Sequence, residues 1–220
     1  MNNDLENYLN AEQLALFESL NTPADIQAYL DRIPYSPENN NRSPASVLRD
    51  GVAHCLDGGL FAAAALQRIG FGAFIIDLLP EPGTDDDHVL AIYKHYGHFG
   101  AIAKSNFSGL RFREPIYRSL RELALSYFPM YFNSRAEKTL RAYTRPLNLK
   151  TFDHLGWMWR DAVADLIEQE FHKLRSFPLL KDEMITGLSA VDSRTYEAGL
   201  LGADKSGLYK PSGLNIEGGV

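Results

Sequence analysis

The stretch SPASVLRDGVAHCLDGGLFAAAALQRIGFGAFIIDLL, residues 43–79, decides the fold. Cys55 begins a run of glycine, alanine and leucine that ends at Gly70, and this pattern predicts a helix. Because its side chains are small on almost every side, we expect this helix to lie close to its neighbours at the centre of the domain. Residues 71–79 are rich in aromatic and β-branched side chains and therefore predict a strand.

A β-hairpin is predicted for residues 88–106, with Tyr96 and Gly97 as the two turn residues. Both alternating sets of side chains in its first strand are apolar, which is typical of a central strand buried on two faces. With that turn, paired positions sum to 193. His88 then faces Ser105 across the hairpin, and Asn106 is the next residue along.

Helical patterns flank this core. Two helices are predicted before residue 34, the second with Thr22 as N-cap and Pro23 at its first position. Residues 114–128 and 152–177 also predict helices, and the first of these has four core candidates: Ile116, Leu120, Leu123 and Leu125. The fold class is therefore α+β, with a central Cys-bearing helix packed on a small antiparallel sheet between N-terminal and C-terminal helices.

We expect a single domain over residues 1–220. Its parts are N-terminal helices over 1–42, a core over 43–132 and a helical C-terminal part over 133–220. Residues 210–220 have the composition of a poorly ordered tail.

Composition narrows the function classes. Hydrophobic residues make up 45% of the chain and charged residues 23%, as in ordinary globular proteins. The net charge of −6 argues against nucleic acid as a partner. One cysteine cannot form an internal disulfide, and no leader or long apolar run is visible, so we expect a cytoplasmic protein that does not associate with membranes. No phosphate-binding glycine motif occurs, so no cofactor is expected.

The chemistry of interest centres on Cys55. A thiol at a helix N-terminus meets unpaired N–H groups and the positive end of the helix dipole, which favour the thiolate. A cysteine nucleophile also needs a base and a third group to orient that base. His88 is the predicted base, since His54 is expected to point elsewhere. Asn106 or Ser105 is the predicted orienting residue. The alternative is that Cys55 is a buried structural thiol.

These residues resemble the transglutaminase-like superfamily, whose members use a papain-like Cys–His–Asp/Asn triad. The resemblance covers residues 43–107 and is carried by GVAHCLDGGLFAAAALQRIGFGAFIIDLL, DHVLAIY and GHFGAIAKSN. It implies a papain/transglutaminase-like core, with Cys55 as nucleophile, His88 as base, and Asn106 or Ser105 as third member. The implied activity is hydrolysis or acyl transfer at amide bonds through a thioester, on a peptide, a protein or a small amide.

The sequence departs from the family pattern after the histidine, and the usual tryptophan and aspartate of the next strand are missing. A binding module with weak or no catalysis is therefore the alternative function. Arg111 and Arg113 are candidates for binding a substrate carboxylate or phosphate, against a role as ordinary surface charges. No metal site is expected, because His88 and His95 fall on opposite faces of a regular strand. The sequence does not indicate an oligomeric state.

Overall fold

The computed structural model describes residues 4–38 and 40–209, so the expected C-terminal tail lies outside the described residues. The helices are α1 (Ala11–Ser19), α2 (Pro23–Arg32), α3 (Pro44–Asp50), α4 (Cys55–Arg68), α5 (Leu120–Leu125), α6 (Asp161–Phe171), α7 (Asp182–Thr186) and α8 (Ser193–Gly199). Short 3₁₀ helices cover Asp4–Tyr8, Phe128–Met130, Leu149–Leu155 and Lys205–Gly207. The strands are β1 (Phe74–Pro80), β2 (His88–His95), β3 (His98–Ile102), β4 (Arg113–Tyr117), β5 (Leu140–Thr144), β6 (Leu147–Asn148) and β7 (Ser176–Pro178).

The strands form one antiparallel sheet in the order β4-β3-β2-β1-β5-β7, with β6 paired to β1. This confirms the α+β class and the Cys-bearing helix. The predicted hairpin register is also confirmed, because Ala91 pairs with Ile102 and His95 with His98. Tyr96 and Gly97 form the turn, with φ values of 47° and 81°. These left-handed conformations suit the two central residues of a hairpin turn.

Strand β2 contributes to a separate core on each face of the sheet. Val89, Ala91 and Tyr93 pack with the α4 side chains in one hydrophobic cluster. Leu90 and Ile92 belong to a second cluster, which also contains Leu110, Leu123, Tyr127 and Tyr131. The alternation of strand side chains thus assigns every residue near the start of β2 to one core or the other.

Two consecutive glycines let α4 approach the sheet closely. A Cβ atom at Gly59 would lie 2.7 Å from Cγ1 of Val89, and one at Gly58 would lie 2.2 Å from Cβ of Lys104. Side chains at these positions would push the helix away from β2 and from the segment after β3. The structure therefore confirms the predicted close packing of this helix against its neighbours, which the two glycines make possible.

The helix starts follow the predicted caps. The Thr22 side chain accepts a hydrogen bond from the N–H of Asp25, and the Ser43 side chain accepts one from the N–H of Ser46. Each cap is followed by a proline at the first helical position. Helix α4 ends shortly before Gly70, which has a φ of 92°.

Three local expectations were wrong. The segment predicted as a helix over 114–128 begins as strand β4, and Ile116 is 66% exposed instead of buried. Pairing with β3 outweighs the local helical pattern there, and α5 forms only after the Ser119 cap. The part after residue 133 is not only helical, because β5 and β7 extend the sheet. The stretch 152–177 divides into a 3₁₀ helix and α6, with Gly156 in the left-handed region between them.

Within the described ranges, no helix combines the length and the apolar character that crossing a bilayer requires.

Candidate functional site

Cys55 is the first residue of α4, as the sequence predicts. The backbone N–H of Val89 on β2 donates a hydrogen bond to its sulfur. At the first helical position the N–H of Cys55 itself has no acceptor within the helix. The thiol therefore lies between the positive end of a helix and the first residues of a central strand.

A cavity of about 610 Å³ opens beside this thiol. Its wall includes Tyr35 and Glu38 from the loop after α2, His54 and Cys55 at the start of α4, Asp77 on β1, Asp86 and Asp87 before β2, Glu168 and His172 at the end of α6, and residues 206–209. Among the described residues that line this cavity there is no lysine and no arginine. The cavity is therefore strongly acidic.

Asp77 and Asp87 form a pair of carboxyl groups at the floor of this cavity. Asp77 pairs with Val89 across β1 and β2, so its side chain shares the face on which α4 packs. Asp87 precedes Val89 by two residues and lies on the same face. The two carboxyl groups are in hydrogen-bond contact with each other. Burial raises the pKa of both, and the charge of Asp87 raises that of Asp77 further. One proton shared between them relieves this repulsion.

The thiol of Cys55 is neutral in this setting. Burial raises its pKa well above the ordinary value, and the carboxylates of Asp87, Asp77 and Asp86 raise it further. The hydrogen bond from the N–H of Val89 lowers the pKa of the thiol, but by less than burial raises it. Burial, and after it the nearby carboxylates, thus raise the pKa of a thiol whose position at a helix start by itself favours the thiolate.

The structure does not bring His88 to Cys55. His88 lies on the opposite face of β2, where its ring packs against Tyr131 at 6.5 Å between centroids. Its Nε2–H donates a 2.7 Å hydrogen bond to the carbonyl of Leu110. Burial lowers the pKa of His88 to about 4, so the ring is neutral at physiological pH. The expected Cys–His contact fails because side chains alternate along the strand, and position 87 is the one that faces the thiol.

His54 is closer to the thiol than the sequence suggests. It is the N-cap of α4, where its Nδ1 accepts a hydrogen bond from the N–H of Leu56. Its Nε2 lies 3.2 Å from Oδ1 of the buried Asp57. Both ring nitrogens are thereby engaged, so His54 shapes the start of the helix and lines the cavity.

Ser105 and Asn106 have other partners. Strand β3 ends at Ile102, so the hairpin ladder does not extend to position 105. The Ser105 hydroxyl accepts from the N–H of Phe107. The Asn106 side chain makes two 2.7 Å hydrogen bonds to the backbone of Asp204, one to the carbonyl and one from the N–H. Asn106 thus anchors the segment that closes one side of the cavity.

The two candidate arginines lie away from Cys55. Arg111 pairs with Asp31 at 3.1 Å. Arg113 donates to carbonyls and to the hydroxyl of Ser126, and its guanidinium lies 3.9 Å from the ring centre of Tyr127. Neither lines the cavity beside the thiol. Both arginines make the contacts expected of structural residues.

The residues that sequence reasoning missed are Asp77 and Asp87. Asp77 interrupts the apolar run FIIDLL, which is a signal that a buried strand has a polar group facing a site. Asp87 belongs to the acidic run DDD, residues 85–87, whose composition alone is typical of a solvated loop. Because side chains two residues apart in an extended chain point to the same side, Asp87 is expected on the side of Val89, which faces α4.

No family model matches this sequence, and the comparison with curated proteins finds no relative of it. Among the described residues, no cluster of three or more histidine, cysteine, aspartate or glutamate side chains has the arrangement of a metal site.

Proposed function

We propose that this protein is a transglutaminase-like cysteine enzyme that acts on amide bonds, with Cys55 as nucleophile and Asp87 as the base. The observation that carries the proposal is that Cys55 and Asp87 line the same cavity. Among the charged groups there, Asp87 has the largest effect on the pKa of the thiol. A helix that presents its first residue to an antiparallel sheet agrees with a papain/transglutaminase-like core. The proposal assigns the base to position 87 instead of His88.

The raised pKa of Asp87 suits this role. A carboxylate accepts a proton more readily as its pKa rises toward the working pH, and burial raises the pKa of Asp87. Asp77 positions it through their contact. A neutral thiol with a carboxylate beside it transfers its proton during attack, so a preformed thiolate is not required.

In the proposed reaction, the sulfur of Cys55 attacks the carbonyl carbon of an amide while the S–H proton passes to Asp87. The oxyanion that forms is stabilised at the N-terminal end of α4. The C–N bond then breaks, and the proton on Asp87 passes to the departing nitrogen. Water or an amine attacks the resulting thioester and gives its proton to Asp87. The sulfur leaves and recovers that proton.

The test is acylation of the protein by p-nitrophenyl acetate, followed by release of p-nitrophenolate and by intact-protein mass. We expect one acetyl group, mapped to Cys55, in the native chain and none in Cys55→Ser. Adding hydroxylamine separates transfer from hydrolysis, because transfer yields the hydroxamate. Acetyl-glycine p-nitroanilide then tests cleavage of a C–N bond. If Cys55 is not acylated, or if Cys55→Ser is acylated at the same rate, the proposal fails.

A second candidate function is a binding module without catalysis. Its support is the neutral thiol, since burial and the surrounding carboxylates both raise the pKa of Cys55. In that case the cavity binds a ligand, and the thiol contributes only packing. Absence of acylation at Cys55 favours this candidate.

A further inference from the structure

The buried carboxyl of Asp77 has no ordinary partner for one of its oxygens. Asp77 is 2% exposed and lines the cavity. Within residues 4–38 and 40–209, no donor reaches its Oδ1. The neighbouring charged group with the largest effect on the pKa of Asp77 is another carboxyl group, that of Asp87. An uncompensated buried carboxylate is costly, so the pair needs a positive group: a shared proton or a cation supplied by a ligand.

The rest of the cavity wall has the same sign of charge. Asp86 and Glu168 add two more carboxyl groups. Arg42, which pairs with Glu38 of this wall at 2.5 Å, is also bound to Asp50 at 3.3 Å and to Asp57 at 3.6 Å. The cavity therefore collects negative charge that the described part of the protein does not neutralise.

A metal ion is the less suitable occupant, because the described residues do not form a cluster of ligands for one. A protonated nitrogen, unlike a metal ion, does not need a cluster of three or more ligands. Its N–H groups donate directly to two adjacent carboxylates, and a guanidinium does so with a planar fork. Tyr35 and His172 also line the cavity and offer ring faces for such a group.

We propose that the Asp77–Asp87 pair binds a protonated nitrogen of the substrate, an ammonium or a guanidinium, which takes the place of the shared proton. This inference rests on the proposed function, because it names the substrate class of the same site. When the cation replaces the proton, both carboxylates are ionised. Asp87 is then fully ionised. It accepts the proton of Cys55 more readily than when the pair shares a proton, so a cationic substrate reacts faster than a neutral one.

The test is isothermal titration calorimetry with matched neutral and cationic amides. Acetyl-arginine amide and acetyl-citrulline amide differ only in the replacement of one nitrogen by oxygen, which removes the charge. We expect the arginine compound to bind at least about tenfold more tightly, a difference of about 1.4 kcal/mol. Acetyl-lysine amide distinguishes ammonium from guanidinium as the preferred cation. Asp77→Asn should remove the preference, whereas Asp85→Asn, outside the cavity wall, should keep it.

A second measurement uses the native chain alone, in case Asp77→Asn does not fold. Titration in two buffers with different ionisation enthalpies reports protons released on binding, and displacement of the shared proton predicts release at neutral pH. The other titratable groups that line the cavity around the pair are Tyr35, Glu38, His54, Cys55, Asp86, Glu168, His172 and Tyr209. Release should therefore persist in His54→Gln and His172→Gln.

The two proposals fail in different ways. Equal binding of the arginine and citrulline compounds, or binding without proton release, overturns the inference, and acylation of Cys55 by the neutral ester is unaffected by that result. Conversely, Cys55→Ser should still bind the cation. If cations bind but Cys55 is never acylated, the proposed function fails and the cation site stands.

Discussion

His88 begins strand β2 and packs on the face opposite α4, whereas the preceding residue, Asp87, lines the cavity that contains Cys55. Asp87 lines the cavity with Cys55, whereas His88 packs on Tyr131 and donates to Leu110. This difference is the reason why the proposed function assigns the base to Asp87 and not to His88. It also separates the two residues experimentally, since each has its own surroundings and its own expected response to substitution.

The charge of Asp87 should be visible in the titration of Cys55. Because Asp87 raises the pKa of the thiol, Asp87→Asn should lower that pKa and shift iodoacetamide alkylation to lower pH. Asp85→Asn is the matched control, since Asp85 bonds to Thr139 and does not line the cavity. An unchanged alkylation profile in Asp87→Asn would contradict the placement of this carboxylate.

Burial of His88 should make stability depend on pH. Its pKa is lowered to about 4, so below about 6.5 the unfolded chain binds a proton that the folded chain does not. The stability contributed by the neutral ring is present above that range and is lost as the pH falls from about 6.5 to about 4. The full effect is about 3 kcal/mol, from 1.36 kcal/mol per pH unit.

Urea unfolding of the native chain and of His88→Asn across pH 4–7 measures this contribution. The buried aspartates have raised pKa values and act with the opposite sign, but they are common to both proteins. The difference between the two chains should therefore shrink as the pH falls. A constant difference would show that His88 is not held neutral by burial.

The glycine contact between α4 and β2 predicts a cost of overpacking. Gly59→Ala places a Cβ 2.7 Å from Cγ1 of Val89, which is too close for two carbon atoms, so we expect a loss of about 1–3 kcal/mol in the free energy of unfolding. Gly187→Ala is the control, because its Cβ would meet nothing closer than 3.7 Å. Equal stability of the two variants would mean that the helix has room to move away from the strand.

The side chain of Asn106 should hold residues 204–209 in place, and part of this segment lines the cavity. Asn106→Ala removes both hydrogen bonds to Asp204, so trypsin should cleave after Lys205 several-fold faster than in the native chain. The pH profile of Cys55 alkylation should change little. Ser105→Ala provides the comparison, because Ser105 does not contact this segment through its hydroxyl. A large change in thiol reactivity with unchanged proteolysis would instead support a role beside Cys55.

Much of the fold could be predicted from local sequence. The caps at Thr22 and Ser43, the start of α4 at Cys55 and the hairpin turn at Tyr96–Gly97 all depend on residues close in the chain. Strand β4 was not predictable in this way, because pairing with β3 decides its conformation.

The candidate site was harder to predict, since it depends on side-chain direction. Placing His88 at the start of a strand was right, but one residue of register decides which face a side chain occupies. The approach of Asp77 to Asp87 joins two strands and follows only from their pairing. The anchoring of residues 204–209 by Asn106 joins positions far apart in the chain and has no local signal.

The most direct test of the central claim compares Asp87→Asn with His88→Asn in the acylation of Cys55 by p-nitrophenyl acetate, with iodoacetamide alkylation measured in parallel. We expect Cys55 in Asp87→Asn to be alkylated faster near neutral pH yet acylated at least about tenfold more slowly, because the base is lost. His88→Asn should leave both rates within about twofold of those of the native chain. Undiminished acylation in Asp87→Asn, or its loss in His88→Asn instead, would contradict the assignment of Asp87 as the base.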